Sequence, residues 1–288
     1  MIGYLIMRVA LTCQWLRAAH GETGTARTVA LRYAAGLVLV QAGWVVLLLL
    51  PDSWWWWGFA PLVVLDLAVP AIAERDATTP WHPHHIAERY GLFTIIVLGE
   101  SVLAATLAIQ AALDERPHFA ELLPIAAGGL VIVFAAFWTY FAVPAHEYLQ
   151  TIRRPWWWGY GHYVIFGSAA AIGAGVEIVV EQITGHAHLS AVAAALAVTG
   201  PTALFMIAVC LIHAHRFKQG PAQQLVLPAG ALLILSATFA GQWAVPLAAL
   251  VAAATVAAGI IMANHPGALA KTGRRNENTL TEPGRPHE

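Results

Sequence analysis

The chain has 288 residues, of which 59% are hydrophobic and 11% charged, and its formal net charge is −1. A soluble domain carries about a quarter charged residues, so this one has too few to cover a water-exposed surface of its size. It shows no basic stripe for nucleic acid, no phosphate loop and no nucleophile motif.

The remaining solvent is lipid. A bilayer core about 30 Å thick needs about 20 apolar residues per helix. The chain supplies nine such stretches, near 1–19, 28–50, 54–73, 88–113, 120–143, 159–181, 187–212, 223–240 and 243–263. They do not alternate as barrel strands would. The fold class expected is all-α, a polytopic bundle of about nine transmembrane helices. The transmembrane domain covers 1–265, and a polar tail, 266–288, is rich in Gly, Asn, Thr and Pro and reads as disordered.

Breakers separate the spans, among them Pro51-Asp52-Ser53, Arg116-Pro117 and Gly220-Pro221. All but Arg8 and Arg116 of the 15 Lys and Arg residues fall in every second loop or in the tail. By the positive-inside rule those loops are cytoplasmic. The expected orientation therefore has Met1 outside and the tail inside. Trp54 to Trp57 and Trp156 to Trp158 lie at span ends, the headgroup level that tryptophan favours. Cys13 and Cys210 both sit in apolar runs, which argues against a disulfide framework or a cysteine metal site.

Three ionisable residues lie deep within spans. Arg8 precedes Arg17 by nine residues and Asp66 precedes Arg75 by nine, each about 13 Å of helix. Glu100 lies eleven residues beyond Arg89, about 16 Å. A lone charge at that depth costs several kcal/mol, so Arg8 is expected to pair with Asp66, Glu100 or both. Such a pair either fixes helix register or serves a proton, an ion or a solute. On a helical wheel Arg89 and Glu100 share one face, and that face is expected to point into the bundle, with Gly91 and Gly99 admitting a neighbour. Glu177 and Glu181, toward the outer end of their span, read as interfacial carboxylates.

His82, His84, His85 and Glu88 cluster before the fourth span, at its cytoplasmic entry with Arg89. Two imidazoles and a carboxylate can hold zinc, which makes His84, His85 and Glu88 weak metal candidates. The zincin spacing H-E-x-x-H is absent, and the reading adopted is an interfacial capping and ion-pair cluster. His213 and His215 read as interfacial too. No cofactor is expected.

The stretch His85-x-x-Glu88-Arg89-x-Gly91-Leu92-Phe93-x-Ile95-Ile96-x-Leu98-Gly99-Glu100-Ser101 resembles the central signature of the bacterial low-temperature-requirement A family. Tyr4-Leu5-Ile6-Met7-Arg8 and Leu65-Asp66-Leu67-Ala68-Val69-Pro70 are similar to further family segments. The resemblance runs from Met1 to about Asn264. It implies a multi-pass protein of the bacterial inner membrane, associated with growth at low temperature. Family members usually begin with additional helices that include an E-L-F-x-D-L-type acidic segment, absent here. The resemblance thus implies an N-terminally shortened remnant of a two-half, twelve-helix architecture. An apolar likeness between Leu5 to Cys13 and Phe205 to His213 suits two halves.

Three functions follow as alternatives. A transporter or channel would line its centre with Arg8, Asp66 and Glu100. A membrane-embedded enzyme would use the His82–Glu88 edge. A cold-adaptation sensor or scaffold would need neither. The expected partners are the lipid bilayer and a small solute, ion or proton, with no nucleic acid.

Overall fold

The computed structural model describes residues 2–113, 119–151, 156–213 and 221–264. The predicted disordered tail, His215 and Arg116 lie outside them. Among the described residues every regular element is helical: α1 (Ile2–Gly21), α2 (Gly24–Leu49), α3 (Trp55–Ala73), α4 (Pro83–Leu113), α5 (Phe119–Phe141), α6 (Ala145–Thr151), α7 (Trp156–Ile183), α8 (Ala191–Ile212), α9 (Pro221–Ala237) and α10 (Ala244–Ala263). Each of the nine expected spans corresponds to one long helix. Seven segments are long and apolar enough to cross a membrane, and α1 and α9 are not among them. The short helix α6 was not expected.

Local chemistry sets the ends. Pro83 opens α4, where its missing N–H costs nothing, so His84, His85 and Glu88 belong to the helix and not to a preceding loop. Ser190 caps α8 by accepting from the N–H of Ala193 at 3.2 Å. Gly185 ends α7 with φ +81°, and His186 N–H donates to the Glu181 carbonyl at 2.8 Å, the pattern of a Schellman cap. Pro61, Pro70, Pro124, Pro201 and Pro228 all lie within helices.

The chain divides into two compact units, Met1–His82 and Pro83–Glu288. In the first, α2 packs on both α1 and α3. Val40, Trp44, Leu47 and Val69 form its core. The α2–α3 contact is close because Gly36 faces Val69 and Gly43 faces Leu62, as small residues permit in membrane helices. Beyond α3, Glu74 is buried and accepts from the Tyr33 hydroxyl at 3.0 Å and from Thr79. Trp54 to Trp57 are exposed, consistent with the interfacial reading.

Arg32 of α2 pairs at 2.6 Å with Asp76, which lies beyond the end of α3. The Arg32 hydrogen bond holds the Asp76 carboxyl below its ordinary value of 3.8. The sign follows from linkage: a depressed carboxylate contributes stability above its unfolded value and loses it as pH falls through the folded one. Arg32→Gln should therefore lower thermal stability at neutral pH. That difference should shrink as pH falls below about 4, which melts at matched pH would read.

In the second unit α7 is central and packs on α4, α5 and α8, with α9 and α10 completing the bundle. Ile132, Ile165, Ile172, Val176, Val198, Phe205 and Ile234 lie in one core. Gly173 faces Ser101 of α4, while Gly175 faces the Ala197 carbonyl of α8. Ser101 donates across that contact to the carbonyl of Ala169 at 2.9 Å.

Candidate functional site

Among the described residues, each unit holds a cluster of ring and ionisable side chains within its helices. In the first, Arg8 on α1 meets Asp66 on α3. Arg8 Nη2 lies 2.6 Å from both Asp66 carboxylate oxygens. The Tyr4 hydroxyl donates to Asp66 Oδ2 at 2.7 Å and accepts from Arg8 Nη2. Tyr4 and Arg8 are one helical turn apart, so one face of α1 brings both to the same carboxylate. The guanidinium also stands 4.8 Å from the centre of the Tyr4 ring. The pair is mostly enclosed, with side-chain exposures of 18% for Arg8 and 15% for Asp66.

Of the two carboxylates expected beside Arg8, Asp66 is the one that pairs with it inside this unit. Glu100 is exposed on the second unit, and Gly99 has no side chain near its Cβ position. The expectation that the Arg89–Glu100 face turns into the bundle is thus corrected. The inward stripe of α4 is Gly91, Thr94, Leu98 and Ser101. Leu98 and Glu100 are about 200° apart around the helix, so burying one exposes the other. Glu177 and Glu181 are exposed.

At the start of α4, His85 Nδ1 lies 3.7 Å from Glu88 Oε2, both well exposed. The His84 ring lies 5.4 Å from that of His146. Among the described residues no group of three or more His, Cys, Asp or Glu side chains is placed to hold a metal ion. Arg89 borders a surface cavity of 310 Å³ that Tyr90, Phe93, Gly159, Tyr160, Tyr163 and Phe166 complete.

The second polar centre lies behind that cavity. His162 of α7 and His213, the C-cap of α8, are both buried. Their Nε2 atoms are 3.1 Å apart. The Tyr140 hydroxyl of α5 is 3.0 Å from His162 Nε2, and His162 Nδ1 is 2.9 Å from the Trp158 carbonyl oxygen. A carbonyl can only accept, so His162 Nδ1 carries a hydrogen, which fixes its neutral tautomer with a lone pair on Nε2. His213 Nδ1 has no hydrogen-bond partner among the described residues. Aromatic rings wall the pair: Trp158 is 4.0 Å and Tyr90 4.6 Å from His162 between ring centres, and Trp158 lies parallel to His213 within 8°. Gly159 makes room for the Tyr90 hydroxyl, which a Cβ there would meet at 2.6 Å.

This centre sharpens two expectations. His213 is 1% exposed: at the end of α8 it packs inside the ring cluster and is not presented at the protein surface. Trp158 is 4% exposed, so of that tryptophan run it packs inward while Trp157 stays exposed. The centre is missed when only Asp, Glu, Lys and Arg are sought inside spans. The available signal is His162, a histidine within an apolar run.

Among the described residues, nine long helices, seven of them long and apolar enough to cross a membrane, with polar side chains closed among them, define a multi-pass helical membrane protein. The family model described as bacterial low temperature requirement A protein (LtrA) matches residues 1–263. The chain belongs to that family. Neither the curated proteins nor the solved structures contain a match to it.

Proposed function

We propose that the chain is a transporter- or channel-like protein of the bacterial inner membrane that passes a small solute, an ion or a proton. Its tail would be cytoplasmic, and His84, His85, Glu88 and Arg89 would stand at the cytoplasmic entry. The observation that carries this reading is the Tyr4–Arg8–Asp66 centre. An ionised pair among apolar helices is costly to keep, and ionisable groups inside spans commonly mark an ion or substrate path. Asp66 accepts from two donors that can exchange for others. A cation or a protonated group arriving there would take over the carboxylate from Arg8, and an anion would take over Arg8.

A stabilisation screen tests it. Purified wild type should gain several degrees in melting temperature with at least one class of small solute or ion, and Asp66→Asn should lose that gain. A gain of equal size in Asp66→Asn would remove Asp66 from the site.

A further inference from the structure

We propose that the cavity beside Arg89 holds the phosphate of an anionic phospholipid, with the lipid's apolar part lying along Phe93. The site lies wholly in the second unit. It rests neither on the Arg8–Asp66 centre nor on the passage of any solute.

The sequence builds the cavity from two helix faces. On α4, Arg89 and Tyr90 stand four and three residues before Phe93, spacings that share a face. On α7, Gly159, Tyr163 and Phe166 follow one another at the same spacings. The two faces meet where the Phe93 and Phe166 rings pack edge to face, 4.7 Å between centres. Toward the helix starts they leave the cavity of 310 Å³ that Arg89 borders. Gly159 helps keep it open, since a Cβ there would crowd the Tyr90 hydroxyl.

The charge of this cavity has one sign. Among the described residues Arg89 makes no ion pair or hydrogen bond. The hydroxyls of Tyr90 and Tyr163 have no hydrogen-bond partner among them either. None of the described lining residues is a carboxylate, and Glu88, next to Arg89 in the chain, lies beside His85 instead. A cation finds nothing here to offset its charge. A phosphate finds a permanently charged guanidinium whose fork of donors matches its oxygens, with two phenols able to donate as well.

The rest of the wall selects a lipid over a soluble anion. Phe93 and Ile96, about one turn deeper on α4, are both exposed. In a helix that crosses a membrane such side chains meet hydrocarbon, so a ligand with one anionic end and an apolar remainder covers both halves of the site. The depth agrees. Arg89 lies six residues into α4, about 9 Å from its start. Trp157, in the first turn of α7, is exposed, as suits the headgroup level that tryptophan favours. Basic pockets between membrane helices bind acidic headgroups. With no carboxylate in the described lining, the amine of a zwitterionic headgroup goes unanswered, which favours a lipid of net negative charge.

Native mass spectrometry of the full chain in detergent, titrated with phosphatidylglycerol, tests this. Wild type should retain one phosphatidylglycerol in preference to phosphatidylcholine. Arg89→Gln should weaken that binding about tenfold, as loss of one charge-assisted contact implies, and Tyr163→Phe should weaken it less. Arg89 is exposed, so Arg89→Gln should melt with wild type. Arg17→Gln, which removes an exposed charge from the first unit, should leave the binding unchanged. Equal retention by wild type and Arg89→Gln would overturn the proposal, as would equal retention of phosphatidylcholine. An equal loss in Arg17→Gln would reduce the effect to diffuse charge attraction and overturn it too. So would inorganic phosphate that displaces the lipid from wild type, which would make the cavity a soluble-anion site.

Discussion

Asp66→Asn should lower the stability of the first unit markedly, and Arg8→Gln should do the same. Removing one partner of a buried ion pair costs about 3–5 kcal/mol, because it strands the other charge away from water. Both side chains here keep some exposure, 18% and 15%, so the low end of that range applies. A lone charge near a helix centre costs about 2.5–3.5 kcal/mol on insertion scales, which agrees. The double variant Arg8→Gln, Asp66→Asn should be far less damaging than the sum of the two, since no stranded charge is left. Tyr4→Phe should cost less than either single change, because Arg8 still contacts both oxygens of Asp66. Thermal melts in one detergent would close the cycle. Additive losses would mean that the two side chains do not act as a pair.

Gly175→Leu should separate α7 from α8 and leave little folded protein. A Cβ at Gly175 would lie 2.1 Å from the Ala197 carbonyl oxygen and 2.6 Å from its carbon. Both are backbone atoms, so no rotamer relieves the clash and the helices themselves must part. Even Gly175→Ala should cost about 3 kcal/mol, the top of the usual range for overpacking. Gly167→Ala, in the same helix, has no atom within 4 Å of its Cβ position and should be tolerated. Because His162 rides on α7 and His213 caps α8, Gly175→Ala should also weaken their contact before it abolishes folding. Monodispersity and melting temperature of the three variants would read the series.

The helices were legible in the sequence because length and apolarity mark them independently of their neighbours. Breaker signals such as Pro51-Asp52-Ser53 and Gly220-Pro221 placed the ends to within a few residues. The start of α4 was not legible: Pro83 looks like a breaker, yet at the first helical position its ring is already helical in φ. That Arg8 needs a carboxylate partner was legible from depth alone, since an apolar environment leaves a charge few options but a partner; the choice of Asp66 over Glu100 came from the fold. The direction of Glu100 was not. Wheel angle gives which residues share a face, but the packing of Thr94, Leu98 and Ser101 on α7 decides which face is inside. His162 was hidden for a different reason. A neutral imidazole carries no charge to flag, and its meaning comes from Tyr140, Trp158 and His213, which only the fold brings together.

Proton or ion movement through reconstituted protein is the most direct measure of the central claim. Wild type and Asp66→Asn, inserted into liposomes at equal density, would be followed with an internal pH dye and ion-selective indicators under an imposed gradient. Wild-type vesicles should show flux well above empty ones, and Asp66→Asn should reduce it at least tenfold while retaining its helical content. Equal flux in the two proteins, or wild-type flux no greater than that of empty vesicles across the solutes and ions supplied, would contradict the account.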